Sequence, residues 1–264
     1  MPYETLREDV QDDVVLLTLN RPERRNALSP QMMAELCEAI GKFSQRAAGV
    51  LILTGAGAAF CAGMDLEHLK TLAGKTQAEH REDSQRIREL FWTLYACPLP
   101  TIAAVNGHAI AGGTGLATIC DFTLAVPEAK FGYTEAKIGF VPALVSAFLV
   151  RQVGEKSARD LLLSARLFSA DEAKALGLVQ EVVASSVLDR AQALAQELLR
   201  NSPESLRATK RLLLQDSREL LTRQLDAAVE ANMAARATPD FFEGVSSFLE
   251  KRAPVWRRPS KEQA

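Results

Sequence analysis

The sequence predicts an α/β layered fold with an all-helical C-terminal region, and three observations carry that expectation. Short β-rich apolar runs alternate with helix-patterned stretches through the first 200 residues, which is the pattern of strands layered on helices. Twice a strand-like run passes through glycine straight into a helical stretch, at Gly63-Met64 and at Gly112-Gly113. From Ser202-Pro203-Glu204 onward the strand signal stops. The chain therefore divides into a layered core, residues 1–200, and a helical region, residues 201–264, that packs on the core or on another subunit.

Taken in order, residues 14–20 form a β-rich strand ended by Arg21-Pro22, and Arg24, Arg25 and Asn26 follow in a loop. Ser29-Pro30 is an N-cap and first-turn pair for a helix carrying Met33, Leu36, Ile40 and Phe43 at helical spacing. Residues 50–54 are a strand stopped by Gly55 and Gly57, and residues 60–65 a small-residue turn before a helical stretch from Leu66. Residues 69–97 are charged in the middle, with Glu79, His80, Arg81, Glu82 and Asp83 in a row, so the early part is expected as a mobile surface segment and the later part, with Ile87, Leu90, Phe91 and Leu94, as a docked helix. Residues 101–105 and 108–110 are extended around the turn signal Asn106-Gly107, and a small-residue helix opens at Gly112-Gly113. Strand-like chain at 122–126, apolar helix at 143–153, short helices at 157–163 and 170–176, and a last strand at 179–183 complete the core, with Gly177 as a helix C-cap. In the tail, Leu206, Leu213, Leu220 and Leu225 mark one face of a long helix, and Thr238-Pro239 starts another through Phe242, Val245 and Phe248.

Composition removes several classes of function. The 264 residues are 47% hydrophobic and 24% charged with a formal net charge of −2, so there is no overall basic field for nucleic acid or an anionic membrane. No apolar run reaches the roughly 18–20 residues of a spanning helix. Cys37, Cys61, Cys97 and Cys120 form no C-x-x-C pair, and the first residues carry no basic-then-apolar leader, so a reducing, cytoplasmic compartment is expected. There is no G-x-S-x-G, H-E-x-x-H or strand-borne G-x-G-x-x-G, and only three histidines, His68, His80 and His108; no metal site is expected. Gly74-Lys75-Thr76 is not a phosphate loop, because Leu69 stands where its first glycine belongs and no strand precedes it.

What remains is two glycine turns and one carboxylate, Glu135, in an otherwise apolar and neutral segment. A helix start leaves its first N–H groups without internal partners, so two such turns facing one oxygen make an oxyanion hole, beside which a buried carboxylate moves a proton. Tyr133 shares the face of Glu135 in extended chain and is expected as pocket wall, while His108 is expected to be satisfied structurally.

These residues carry a resemblance. Asn20-Arg21-Pro22 with Asn26-Ala27-Leu28-Ser29, Phe60-Cys61-Ala62-Gly63-Met64-Asp65, Ala104-Val105-Asn106-Gly107 through Gly112-Gly113, Cys120-Asp121, Phe131-Gly132, Glu135, Glu243-Gly244 and Phe248-Leu249-Glu250-Lys251-Arg252 follow one another over nearly the full chain. Together they resemble the enoyl-CoA hydratase/isomerase (crotonase) family. The resemblance implies an α/β spiral of β-β-α turns with a C-terminal helical region, assembled as homotrimers or dimers of trimers. It implies an acyl-CoA thioester as substrate, with coenzyme A part of that substrate and no other cofactor. It places the thioester oxygen between the N–H groups of Met64 and Gly112, sets Ala62, Gly63, Met64 and Asp65 against the CoA moiety, puts Arg24, Arg25 and Ala27 near its nucleotide end, and has Lys251 reach a CoA phosphate.

The sequence departs from that pattern at one position: family hydratases commonly carry a second glutamate where this chain has Gly115. Adding water across a conjugated double bond uses one group to orient the water and another to deliver a proton, whereas moving a double bond needs one base. The resemblance with a single Glu135 therefore implies enoyl-CoA double-bond isomerisation first, hydration of a 2-trans-enoyl-CoA next, decarboxylation of a malonyl-type thioester third, and non-catalytic acyl-CoA binding as the rival from another class.

Overall fold

A computed structural model describes residues 2–72 and 74–256. Its organising element is a repeated strand pair. β3 (Val50–Gly55), β5 (Thr101–Val105) and β7 (Phe122–Ala125) lie side by side and parallel in a six-stranded sheet, where β1 (Leu6–Gln11) and β2 (Val14–Leu19) precede β3 and β10 (Glu181–Val182) follows β7, in the order β1-β2-β3-β5-β7-β10. The strand following each, β4 (Ala59–Cys61), β6 (His108–Ile110) and β8 (Lys130–Gly132), bends away into a second, four-stranded sheet that β9 (Phe168–Ser169) completes, in the order β4-β6-β8-β9. After each pair the chain runs into helix: α2 (Leu66–Leu72) and α3 (Gln77–Tyr95), then α4 (Gly112–Ile119), then α5 (Ala143–Ser164). The core is thus a β-β-α spiral, and each turn of it adds one strand to both sheets.

The larger sheet begins with β1 (Leu6–Gln11) antiparallel to β2 (Val14–Leu19), a strand absent from the sequence-based expectation. Only Leu6 of β1 is buried, so this charged edge strand has no alternating apolar signature. α1 (Pro30–Ser44) follows, with Ser29 accepting the Met32 N–H at 3.2 Å as its N-cap. It buries Met32, Met33, Leu36, Ile40 and Phe43 against one face of the sheet, while α7 (Val187–Leu199) covers the opposite face over Val50, Ile52, Ile102 and Leu124. β9 (Phe168–Ser169), α6 (Ala170–Ala175), capped by Gly177 at φ 81°, and β10 (Glu181–Val182) close the core. α5 is broken at Gly154 (φ 73°), which separates the two helical segments expected there.

α8 (Pro203–Arg236) and α9 (Pro239–Leu249) form the helical tail, each starting at the expected serine or threonine N-cap followed by proline. The expected apolar face of α8 is corrected. Leu213 is 71% and Leu220 46% exposed, and the buried stripe is Ser217, Leu221, Leu225, Ala228, Val229, Asn232, Ala235 and Arg236. Residues seven apart drift around a straight helix. The first half of α8 is held by its polar groups: Arg207 donates to the Arg46 and Ala47 carbonyls, and Lys210 to the Leu99 carbonyl and Asp121.

One buried side chain ties the loop after β2 to the β3–β4 corner. Asn26, fully buried and at φ 55°, accepts the Arg21 N–H at 3.0 Å and donates to the Ala56 and Ala59 carbonyls at 2.9 and 2.8 Å. Asn26→Ala strands three backbone groups, one of them fully buried and two half-buried, and is expected to cost about 2–4 kcal/mol in denaturant unfolding. Asn26→Gly, which suits the positive φ, is expected to cost as much, because the loss lies in the hydrogen bonds.

Candidate active site

The register of the smaller sheet brings the glycine turns and the carboxylate together. β4, β6 and β8 are parallel neighbours, with Cys61 opposite Ala109 and Ile110 opposite Gly132. Their carboxyl ends therefore lie side by side, and each is followed by a turn, at residues 62–65, 111–113 and 133–135. Three stretches far apart in sequence become adjacent because each is the same place in successive turns of the spiral.

The first turn is laced to the loop before α1. Leu28 donates to the Gly63 carbonyl (2.7 Å), Asp65 N–H to the Leu28 carbonyl (3.1 Å) and Ala62 N–H to the Arg25 carbonyl (3.0 Å). Those bonds use both neighbours of Met64 and turn its own N–H the other way. In the second turn, Ala111 sits at φ 53°, ψ −124°, a conformation that suits glycine, and is held there by its N–H to the Gly132 carbonyl (2.6 Å). Gly113 must be glycine, since a Cβ there would lie 2.2 Å from the Cys61 carbonyl oxygen. The turns touch directly: a Cβ on Gly63 would meet the Ile110 carbonyl at 2.9 Å and the Ala111 Cβ at 3.1 Å. Among the described residues, neither the Met64 N–H nor the Gly112 N–H donates to a protein acceptor.

Glu135 opens a 3-10 turn, Glu135–Ile138, directly after β8. It is 9% exposed and its Oε2 has no partner among the described residues. Burial pushes its carboxyl up to about 7 and outweighs the lowering by its own backbone N–H. A carboxylate in that range exchanges a proton readily near neutral pH. The turn is pinned by α9: a Cβ on Gly139 would lie 2.1 Å from the Asp240 carbonyl, and one on Gly244 2.2 Å from the Ile138 carbonyl carbon. Ile138, Phe140 and Met64 share an apolar cluster with Leu69, Leu72, Phe241 and Val245.

Gly115 lies inside the buried α4. A Cβ there would fall 2.5 Å from Val145 Cγ1 and 3.2 Å from Phe91 Cζ. The space a longer side chain would need is occupied by apolar wall.

Tyr133 does not share a face with Glu135, because Thr134 (φ −94°, ψ 8°) leaves extended conformation and starts the 3-10 turn. Tyr133 is buried, stacked near Phe168, with its hydroxyl 3.3 Å from Thr118 Oγ1; burial raises its pKa. His108 stands at the start of β6, away from the glycine turn, and accepts the Lys130 N–H at 3.2 Å. Ala27 is buried, Arg25 is exposed at φ 51°, Arg24 is half-exposed 3.9 Å from Glu67, and Lys251 is exposed at φ 55° after α9.

Two features had no separate signal in the sequence. Arg21, met only as part of a motif, pairs with Asp65 at 2.6 Å and donates to the Ala27 carbonyl at 2.8 Å, fastening the first turn. Burial pushes the Asp65 carboxyl up, but bonds from Arg21 and the Glu67 N–H outweigh it and hold it below its ordinary value. The second is a correction. Residues 79–83 lie in α3, capped by a reciprocal Thr76–Glu79 box; Glu79 and Glu82 are at the surface as expected, but His80 and Asp83, with Ser84 beside them, are buried. Asp83 meets His68 of α2 and Arg236 of α8.

Comparison with known proteins agrees with this architecture. The enoyl-CoA hydratase/isomerase family model matches residues 9–259. A relative from Thermus thermophilus is 47% identical over 243 residues, covering 91% of this chain and 96% of its own. The 2,3-dehydroadipyl-CoA hydratase of Escherichia coli K12 is 36% identical, covering 94% and 96%. Among solved structures, an enoyl-CoA hydratase/isomerase from Xanthobacter autotrophicus Py2 superposes with a TM-score of 0.87 at 30% identity over 94% of each chain. An enoyl-CoA hydratase from Bacillus halodurans gives 0.86 at 27% identity over 92% of this chain and all of the other. With the β-β-α spiral, the paired glycine turns and the family match across its length, this chain belongs to the enoyl-CoA hydratase/isomerase family and has the crotonase fold.

Proposed function

We propose that the protein is an acyl-CoA enzyme that moves the double bond of an enoyl thioester, with Glu135 as its single acid/base. The reading rests on one buried, unpartnered carboxylate, with Gly115 closed in by the apolar side chains of Val145 and Phe91 where a second acid would stand. The thioester oxygen accepts the N–H groups of Met64 and Gly112. Glu135 takes a proton from C2 of a 3-enoyl thioester; electrons shift to the oxygen, giving a dienolate held by the two donors. The same carboxyl returns the proton at C4, leaving the 2-enoyl product and a regenerated carboxylate. Each donor contributes about 3 kcal/mol to holding the enolate. Ala27, Ala62, Gly63, Asp65 and Lys251 hold the CoA moiety, Tyr133 backs the pocket from the core, and coenzyme A is the substrate's own. The protein works as a homotrimer or dimer of trimers, to which the exposed Leu212 and Leu213 of α8 offer apolar surface.

Hydration is the second reading, supported by the name of the Escherichia coli relative. Purified protein assayed side by side on 3-enoyl-CoA and 2-trans-enoyl-CoA separates the two. Conjugation is expected to exceed water addition by at least about tenfold; the reverse ratio makes the protein a hydratase, and binding without turnover of either makes it a carrier.

A further inference from the structure

The proposed donor Met64 and the proposed base Glu135 belong to different turns of the spiral, and a row of buried polar and charged side chains ties the elements that follow them. α2 starts immediately after Asp65 and carries His68, whose Nε2 meets Asp83 Oδ1 of α3. Asp83 Oδ2 lies 2.7 Å from Arg236 Nη2 of α8. The Arg236 guanidinium stands 5.5 Å over the Phe140 ring, and Phe140 N–H donates to the Glu135 carbonyl at 3.0 Å. Asp83 and Arg236 are fully buried and His68 nearly so. Burial pushes the Asp83 carboxyl up, but the His68 hydrogen bond and the Arg236 charge hold it below its ordinary value. The row thus joins α2, which follows the donor turn, through α3 and α8 to Phe140, whose backbone bonds the base turn.

Stability alone is a poor explanation of such a row, because a buried ion pair is often no better than apolar side chains of similar volume. What such a row supplies is a fixed register: Asp83 meets His68 in only one placement of α2 and pairs with Arg236 in only one placement of α8. Catalysis through two backbone donors and one carboxylate needs that register, since a displacement of about 1 Å costs about 10²-fold in rate.

We propose that Asp83 is a positioning residue which, through His68 and Arg236, sets the Met64 turn against the Glu135 turn. The proposal rests on the enolate chemistry argued above. Its test uses acetoacetyl-CoA, whose enolate, once formed on the protein, absorbs in the near ultraviolet and reports donors and base together without requiring isomerisation or hydration. Two variants are compared: Asp83→Asn, and the apolar replacement His68→Phe/Asp83→Leu/Arg236→Met. Asp83→Asn leaves a buried cation unpaired and is expected to lower the melting temperature, whereas the triple variant restores it. Both are expected to lose at least about tenfold in bound enolate and in turnover, with the affinity for free CoA unchanged. If the triple variant regains enolate formation along with its melting temperature, the row is merely structural and the proposal falls. Full enolate formation by folded Asp83→Asn overturns it as well. Wild-type protein that forms no enolate refutes the enolate chemistry itself, a result separate from either of these.

Discussion

Replacing Glu135 with Gln is expected to lower kcat for double-bond migration by roughly 10²–10⁴-fold while raising the stability of the folded protein above neutral pH. The two effects share one cause. Burial lifts the carboxyl from 4.5 to about 7, so the folded state binds a proton more tightly than the unfolded chain. Below pH 4.5 the group is protonated in both states and costs nothing. Between 4.5 and 7 the unfolded chain ionises first, and the folded state loses stability as pH rises. Above 7 the loss is constant at about 3 kcal/mol, from 1.36 kcal/mol per unit. Gln abolishes this titration, although its buried amide offsets part of the gain. Melting temperatures of wild type and Glu135→Gln are expected to converge at pH 5 and to separate at pH 8, the variant higher. Equal differences at both pH values would mean that Glu135 is not charged in a buried site. For the wild type, kcat/KM for proton abstraction is expected to climb through about pH 7 as the carboxylate forms.

That trade of stability for reactivity was only partly legible in the sequence. The two glycine turns and Glu135 stood out because each depends on local chemistry: a strand end, a helix start, and a lone carboxylate in an apolar segment. The longer strands of the larger sheet and three helix caps were legible for the same reason, as Ser29, Ser202 and Thr238 each accept the N–H three residues on; the short strands β4 and β8 carried too few residues for a pattern. The order in which the strand ends meet was not local, since it is set by Cys61 pairing with Ala109 and Ile110 with Gly132. Charge patterning misled at Asp83. A run of Glu, His, Arg, Glu and Asp reads as solvated helix, and only α8, folding back from more than a hundred residues away, places Arg236 against it. The shared face expected of Tyr133 and Glu135 is lost for a smaller reason, the bend at Thr134 just before the 3-10 turn.

The second large effect concerns Gly115. Introducing the carboxylate that the family's hydratases carry, by Gly115→Glu alone, is expected to destabilise the protein by more than about 3 kcal/mol, through overpacking and an unpaired buried acid together. That corresponds to a melting temperature lower by roughly 6–12 °C. The cause is local. The new Cβ falls 2.5 Å from Val145 Cγ1, and Phe91 closes the other side at 3.2 Å. Removing the γ-methyls with Val145→Ala takes away the nearest obstruction, so the Gly115→Glu/Val145→Ala pair is expected to recover much of the lost melting temperature. It is also expected to add water to 2-trans-enoyl-CoA at least about tenfold faster than wild type, the new carboxylate orienting water while Glu135 delivers the proton. Recovered stability without gained hydration would show that position 115 does not face the reacting carbons. A single Gly115→Glu variant that melts with the wild type would show that Val145 yields freely, and the apolar wall would then be no barrier to a second acid. The pair thus asks whether the reaction is limited by a missing functional group or by the shape of the wall that replaced it, and a filled wall predicts that chemistry returns only after space does.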